Sequence, residues 1–212
     1  MTNTRTKRDF DKDAVAWDQN PSRVALARDI AAAIKREIRL ASDMDVLDFG
    51  CGTGLLTLEL LPAIRSVTAV DSSQGMLNVF KEKIAKSRIV NIRLRHVDID
   101  KGGALTGHYH MAVSTMTLHH IKEIRPLFRQ FYDVVIPGGY LCIADLDCEG
   151  GAFHADNAGV FHHGFNREAM RKDFIEAGFS DVRDVTAAKI IKPVAGGSMR
   201  EFNVFLTIGR KK

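Results

Sequence analysis

The chain has 212 residues, enough for one α/β domain with a full core. Hydrophobic residues make up 45% and charged residues 26%; the net charge is a mild +4 and the individual charges alternate in sign along the chain, which argues against a nucleic-acid partner. The odd set of Cys51, Cys142 and Cys148 contains no CxxC pair, so a disulfide framework is not expected and a reducing, cytoplasmic setting is.

Residues 1–20 are polar apart from Phe10, Val15 and Trp17, without the apolar core of a signal peptide. The basic residues Arg5, Lys7 and Arg8 read as a solvated, disordered N-terminus. Asn20-Pro21-Ser22 predicts a helix start, and Leu26, Ile30, Ala33, Ile34 and Ile38 carry helical spacing towards Leu40. Val46-Leu47-Asp48-Phe49 predicts a buried strand, and Gly54 opens a helix over 55–64. A second strand over 67–70 ends at Asp71, a helix follows over 76–85, and a third strand over 92–97 ends at Asp98. Next come a strand at 111–113, a helix over 122–134, a Pro137-Gly138-Gly139 turn and a strand over 140–144. Asn166 caps a helix stopped by Gly178. Two β-rich stretches, 182–191 and 202–208, are joined by a Pro/Gly-containing segment at 193–197 and form an antiparallel hairpin at one edge. Strand–helix alternation of this kind predicts a Rossmann-like, doubly wound α/β fold. Its sheet has seven mostly parallel strands, an antiparallel last strand and helices on both faces. No run approaches the about 18 apolar residues of a membrane span, so no membrane partner is expected. The one long irregular stretch, 146–165, has the length of a functional loop.

The carboxyl ends of such strands are where ligands bind. Asp48, Asp71 and Asp98 stand there, each preceded by apolar residues. Between the first two runs a loop with glycine at every second position: Gly50, Gly52, Gly54. Glycine there lets something approach the backbone closely. The spacing is GxGxG and not the GxGxxG that serves a pyrophosphate, and residues 48–60 hold no basic side chain. The site therefore suits a cationic nucleoside better than a diphosphate, and a nicotinamide oxidoreductase is the weaker alternative.

Asp-x-Gly-x-Gly-x-Gly at 48–54, Val70-Asp71-Ser72-Ser73 with Met76, and Val97-Asp98-Ile99 resemble the first three motifs of class I S-adenosylmethionine-dependent methyltransferases. Ser114-Thr115-Met116-Thr117-Leu118-His119-His120-Ile121, Pro137-Gly138-Gly139-Tyr140-Leu141 and Glu176-Ala177-Gly178-Phe179 extend the likeness, in order, from about residue 40 to the C-terminus. The chain resembles the small-molecule, ubiquinone/menaquinone-biosynthesis-like subgroup. A single methyltransferase domain over 1–212 is expected, with 1–40 as an N-terminal segment and helix over the cofactor site and 41–212 as the core.

The resemblance implies S-adenosylmethionine as cofactor. It implies that Asp48, Gly50, Cys51 and Gly52 meet the methionine part, that Asp71 accepts from the ribose hydroxyls beside Ser72, and that Asp98 and the Ile99 N–H meet the adenine. Met76 and Ser114 complete the implied set, and Trp17 fits a segment enclosing the cofactor, with simple packing as its alternative. Burial by packing explains Cys51 better than reactivity. Relatives commonly carry an aspartate near the position of His110, and catechol-type enzymes carry a metal-binding acid where Ser114 stands, so metal dependence of that sort is not implied.

The acceptor is less legible. The Asn/Asp-Pro-Pro-aromatic motif of enzymes acting on base amino groups is absent, and so is a Pro-Cys pair. A small-molecule methyl acceptor is expected; an RNA or protein acceptor, or a silent cofactor-binding protein, are the alternatives. Five histidines fall between 119 and 163. His120 and His163 are the first candidates for a general base, then His162 and His154; a purely structural role competes. His154, His162 and His163 lack the i, i+4 spacing of zinc enzymes, so no metal is expected. Neither the methylated atom nor the oligomeric state is encoded in any motif.

Overall fold

Buried apolar strands alternating with one-faced helices build one seven-stranded sheet in the computed structural model, which describes residues 9–194 and 197–212. Arg5, Lys7 and Arg8, and residues 195 and 196 of the last connection, lie outside the described residues. The strands are β1 (Asp45–Phe49), β2 (Ser66–Asp71), β3 (Ile92–His96), β4 (Tyr109–Thr115), β5 (Val135–Leu146), β6 (Ser180–Pro193) and β7 (Met199–Arg210). Their order is β3-β2-β1-β4-β5-β7-β6. Strands β1 to β5 run parallel, and β7 lies antiparallel between β5 and β6. This is the predicted Rossmann-like architecture; the last strand is inserted inside the sheet, and β6 forms the edge.

Period-2 alternation splits the core in two. Val46, Val67, Ala69 and Met111 face Ile30 and Ile34 of α2 (Pro21–Glu37), Leu56 and Leu60 of α3 (Leu55–Leu60) and Phe80 of α4 (Gln74–Lys86). Leu47, Phe49, Ala112 and Leu141 face Phe128 and Phe131 of α5 (Ile124–Val134) and Phe174 of α6 (Arg167–Glu176). The caps follow from side-chain chemistry. Asn20 accepts from the Ser22 N–H at 2.9 Å ahead of Pro21, and Asn166 accepts from the Ala169 N–H at 3.0 Å.

Three elements depart from the sequence reading. Pro137-Gly138-Gly139 is not a turn between elements but a bulge within β5: the register shifts between Tyr109↔Val135 and Met111↔Tyr140, and Gly138 takes φ +82°. The helix after Gly54 stops at Leu60 and tightens to a 3-10 turn over Leu61–Ala63, where Pro62 lacks the N–H to continue it. The polar N-terminus forms structure: α1 (Phe10–Asp13) runs into a 3-10 turn over Ala14–Gln19. No described helix is long and apolar enough to cross a membrane.

Candidate active site

Strand order reverses between β2-β1 and β1-β4, so the loops after β1, β2 and β4 emerge side by side at the carboxyl edge. A cavity of about 860 Å³ opens there. The glycine loop forms its floor; Gly50 and Gly52 both line it, but only Gly52 has open space where a Cβ would stand. A Cβ on Gly50 would lie 2.2 Å from Thr117 Oγ1, and one on Gly54 would lie 2.2 Å from Phe80 Cε2. Close approach at these two positions is therefore made by the protein's own side chains. Gly52 lines the cavity, and a Cβ there would meet nothing nearer than Met76 Sδ at 4.0 Å.

Asp71 ends β2 at the cavity wall. Its carboxylate accepts from the Gly52 N–H at 2.7 Å and from the Ser73 N–H at 2.8 Å, tying the loop after β1 to the loop after β2. Burial raises its pKa, and these N–H donors pull the other way. Ser72, Met76, Asp98 and Ile99 line the same cavity, as does Cys51, whose thiol burial pushes well above its ordinary pKa. Asp98 lies two residues beyond the end of β3, not at its last residue, and leads into a 3-10 turn over Ile99–Lys101.

Asp48 and Ser114 are placed otherwise. Both are fully buried within β1 and β4 and do not line the cavity. Asp48 sits on the sheet face towards α3 and accepts from the Thr57 hydroxyl. Burial raises its pKa from 3.8 to about 7, with the Thr57 bond opposing and the charge of Asp71 adding. The folded protein thus holds a proton that the unfolded chain releases near 3.8. Stability contributed by the protonated form is intact at low pH and lost as pH rises from about 4 to about 7, by ~4 kcal/mol at most. Asp48→Asn is expected to flatten this fall, as denaturant unfolding at a series of pH values will measure; an unchanged slope contradicts the assignment.

The N-terminal segment clasps the site. Asp11 accepts from the Ser73 hydroxyl at 2.5 Å and from the Gly75 N–H at 2.8 Å, at the start of α4. Asp18 accepts from Thr53 Oγ1 at 2.6 Å and pairs with Lys83, which also donates to the Thr53 carbonyl at 2.7 Å. Trp17 lines the cavity, with the Arg23 guanidinium 3.7 Å from its ring centroid. Phe10 stands edge-on to both Trp17 and His120, with centroids 6.0 and 5.0 Å away.

The far wall is imidazole. His119 Nδ1 lies 2.7 Å from Asp145 Oδ1, both buried, and the tautomer that donates there carries its lone pair on Nε2. Burial alone would raise the Asp145 pKa; His119 and the N–H groups of Leu146 and His119 hold it below the ordinary carboxylate range. His120 Nδ1 lies 2.8 Å from the Gly159 carbonyl, which fixes the same tautomer. His154, from the 146–165 loop, lies with its ring centroid 5.1 Å from that of His119 and 5.6 Å from that of His120. All three line the cavity.

His163 and His162 do not. His163 Nδ1 faces Glu149 Oε1 at 3.9 Å, and His162 Nε2 lies 2.9 Å from the Ile121 carbonyl. The 146–165 loop thus turns His154 inward and His163 outward, which corrects the order of the candidate bases. Sequence reasoning missed Asp11, Thr53 and the hydrogen bond that joins His119 to Asp145. No local pattern in the sequence signals any of the three.

Residues 46–139 match the model of a methyltransferase domain family. An uncharacterized methyltransferase of Schizosaccharomyces pombe is 31% identical over 163 residues, covering 70% of this chain and 57% of its own length. The mitochondrial ubiquinone biosynthesis O-methyltransferase of the same organism is 27% identical over 119 residues, 56% of this chain and 43% of that protein. The chain spans about half the length of these curated relatives. Phosphoethanolamine N-methyltransferase 2 of Haemonchus contortus, solved with S-adenosyl-L-methionine, shares the fold at TM-score 0.68 and 16% identity, over 85% of this chain and 52% of that one. Residues 46–139 thus match a methyltransferase domain family, and in motif order, switch-point cavity and fold the chain is similar to class I S-adenosylmethionine-dependent methyltransferases.

Proposed function

We propose that this protein methylates a small-molecule acceptor in the switch-point cavity. The observation that carries the reading is that Gly52, Asp71, Asp98 and Ile99 and the imidazole wall line one and the same cavity. Its volume of about 860 Å³ is at the upper end of small-molecule sites (roughly 300–1,000 Å³), room for a nucleoside cofactor with one small acceptor beside it. The residues fit S-adenosylmethionine: an open glycine, an acid at the rim for a sugar diol, and no lysine or arginine in the glycine loop for a diphosphate. When bound, the cofactor supplies an electrophilic methyl group on a sulfonium.

The chain's own residues do the rest. Asp71 grips the ribose hydroxyls while Gly52 keeps the backbone within reach of the methionine part. Asp98 and Ile99 hold the adenine edge. Asp11 and Asp18 lock the N-terminal segment over the cavity and exclude water, which raises the worth of every charge inside. Trp17, Phe10 and His154 bound the acceptor side, and His120, with its lone pair on Nε2, takes the proton of an acceptor that must lose one. Relatives named for ubiquinone biosynthesis and for phosphoethanolamine support a small acceptor over a polymer.

The test is incubation with methyl-labelled cofactor and a fractionated cell extract. Label is expected in the low-molecular-weight fraction. Label in RNA or protein, or none in any fraction, overturns the proposal.

A further inference from the structure

The imidazole wall has more order than a proton acceptor needs. Among the described residues, His119, His120 and His154 form the one group of three metal-ligating side chains, with one ligand atom from each lying within 4.8 Å of the others. We infer that these three imidazoles form a binding site for a borderline divalent ion such as Zn²⁺, with the cavity as its open side. The inference rests on the proposed function only in identifying what would occupy that open side.

Three features carry it. First, the two buried histidines are turned the same way. His119 Nδ1 and His120 Nδ1 are each engaged by an oxygen, Asp145 Oδ1 at 2.7 Å and Gly159 O at 2.8 Å, so Nε2 is the ligand atom of both. A carboxylate and a carbonyl behind ligating imidazoles are the partners that orient metal-bound histidines and raise their basicity. Second, His154 is carried on a braced backbone. The Phe153 N–H donates to the buried Glu149 Oε2 at 2.6 Å, and Lys192 donates to the Phe153 carbonyl with its ammonium 4.3 Å from the Phe153 ring centroid. Third, the spacing is within reach. Ligand nitrogens around tetrahedral zinc lie about 3.3 Å apart, given Zn–N bonds of about 2.0–2.1 Å. The 4.8 Å bound exceeds this by about 1.5 Å, a gap left for the ring of His154, the partly exposed member, to close on binding.

An all-imidazole set suits zinc, copper or nickel and not magnesium, which prefers oxygen ligands. Three protein ligands with a fourth position open to a cavity is the pattern of sites that bind a water or a substrate oxygen. The site differs from the acidic metal site that Ser114 does not support; with the ion bound, His120 Nε2 would be a ligand and no longer the proton acceptor, and the ion would instead ease proton loss from an oxygen or sulfur acceptor.

The test uses the full chain, stripped with a chelator and titrated with Zn²⁺ against a chromophoric competitor, then with Co²⁺ for its visible spectrum. One Zn²⁺ per chain and a tetrahedral Co²⁺ spectrum are expected. His154→Ala is expected to weaken Zn²⁺ about 100-fold or more and abolish the spectrum, while His163→Ala, outside the cavity, leaves both unchanged. Sub-stoichiometric binding by the wild type, or binding that survives His154→Ala, overturns the inference. Should His154→Ala fail to fold by circular dichroism, the wild-type stoichiometry and Co²⁺ spectrum decide alone. S-adenosylhomocysteine is titrated into the same stripped protein. Zn²⁺ without nucleoside binding sinks the methyltransferase reading and leaves the metal site standing; the reverse result does the opposite.

Discussion

Gly54→Ala is expected to destabilise the fold by ~2–5 kcal/mol. Gly54 sits at φ +84°, in the left-handed region, where a Cβ costs about 1–2 kcal/mol. The new methyl would also lie 2.2 and 2.3 Å from two ring carbons of Phe80. Phe80 is fully buried against the sheet and has no solvent into which to withdraw, so overpacking adds about 1–3 kcal/mol. The two contributions are separable. Pairing Gly54→Ala with Phe80→Leu relieves the clash and leaves the torsional cost, so a double-mutant cycle by denaturant unfolding is expected to show coupling above ~1 kcal/mol. An unshifted unfolding midpoint for the single variant contradicts the packing account of this glycine.

Asp71→Ala is expected to weaken S-adenosylhomocysteine binding about 100-fold or more. A hydrogen bond to a charged group is worth about 1.5–3 kcal/mol, and the proposed role assigns the carboxylate two, one to each ribose hydroxyl. Asp71 also accepts from the Gly52 and Ser73 N–H groups, so its loss leaves the glycine loop without its anchor to the neighbouring loop. Asp71→Asn keeps one acceptor oxygen and gives an intermediate loss, about 10-fold. Calorimetry separates the variants, and unchanged affinity for Asp71→Ala removes Asp71 from the sugar site.

Much of the fold was legible because period and punctuation are local. Leu47 and Phe49 against Val46 announce a strand buried on both faces, and Asn20-Pro21 announces a helix start. Pro137-Gly138-Gly139 misled because the same residues suit a turn and a bulge, and only the register with β4 distinguishes them. The glycine loop announced close approach but not by what. Thr117 and Phe80 reach Gly50 and Gly54 from segments far along the chain, and no local pattern encodes that. The histidines show the same limit. An irregular loop has no period, so nothing in residues 146–165 says that His154 turns inward while His163 turns to Glu149. The hold of Asp11 on the start of α4 is hidden for another reason: an acid in a polar segment looks solvated until the N–H and hydroxyl groups it satisfies are in place.

The cavity between the loops after β1, β2 and β4 is expected to hold a sulfonium nucleoside and not a dinucleotide. Titrating the wild-type chain calorimetrically with S-adenosylhomocysteine and, separately, with NAD tests it most directly. One site per chain for S-adenosylhomocysteine and no heat from NAD is the predicted result. Tight NAD binding with none for S-adenosylhomocysteine would contradict it.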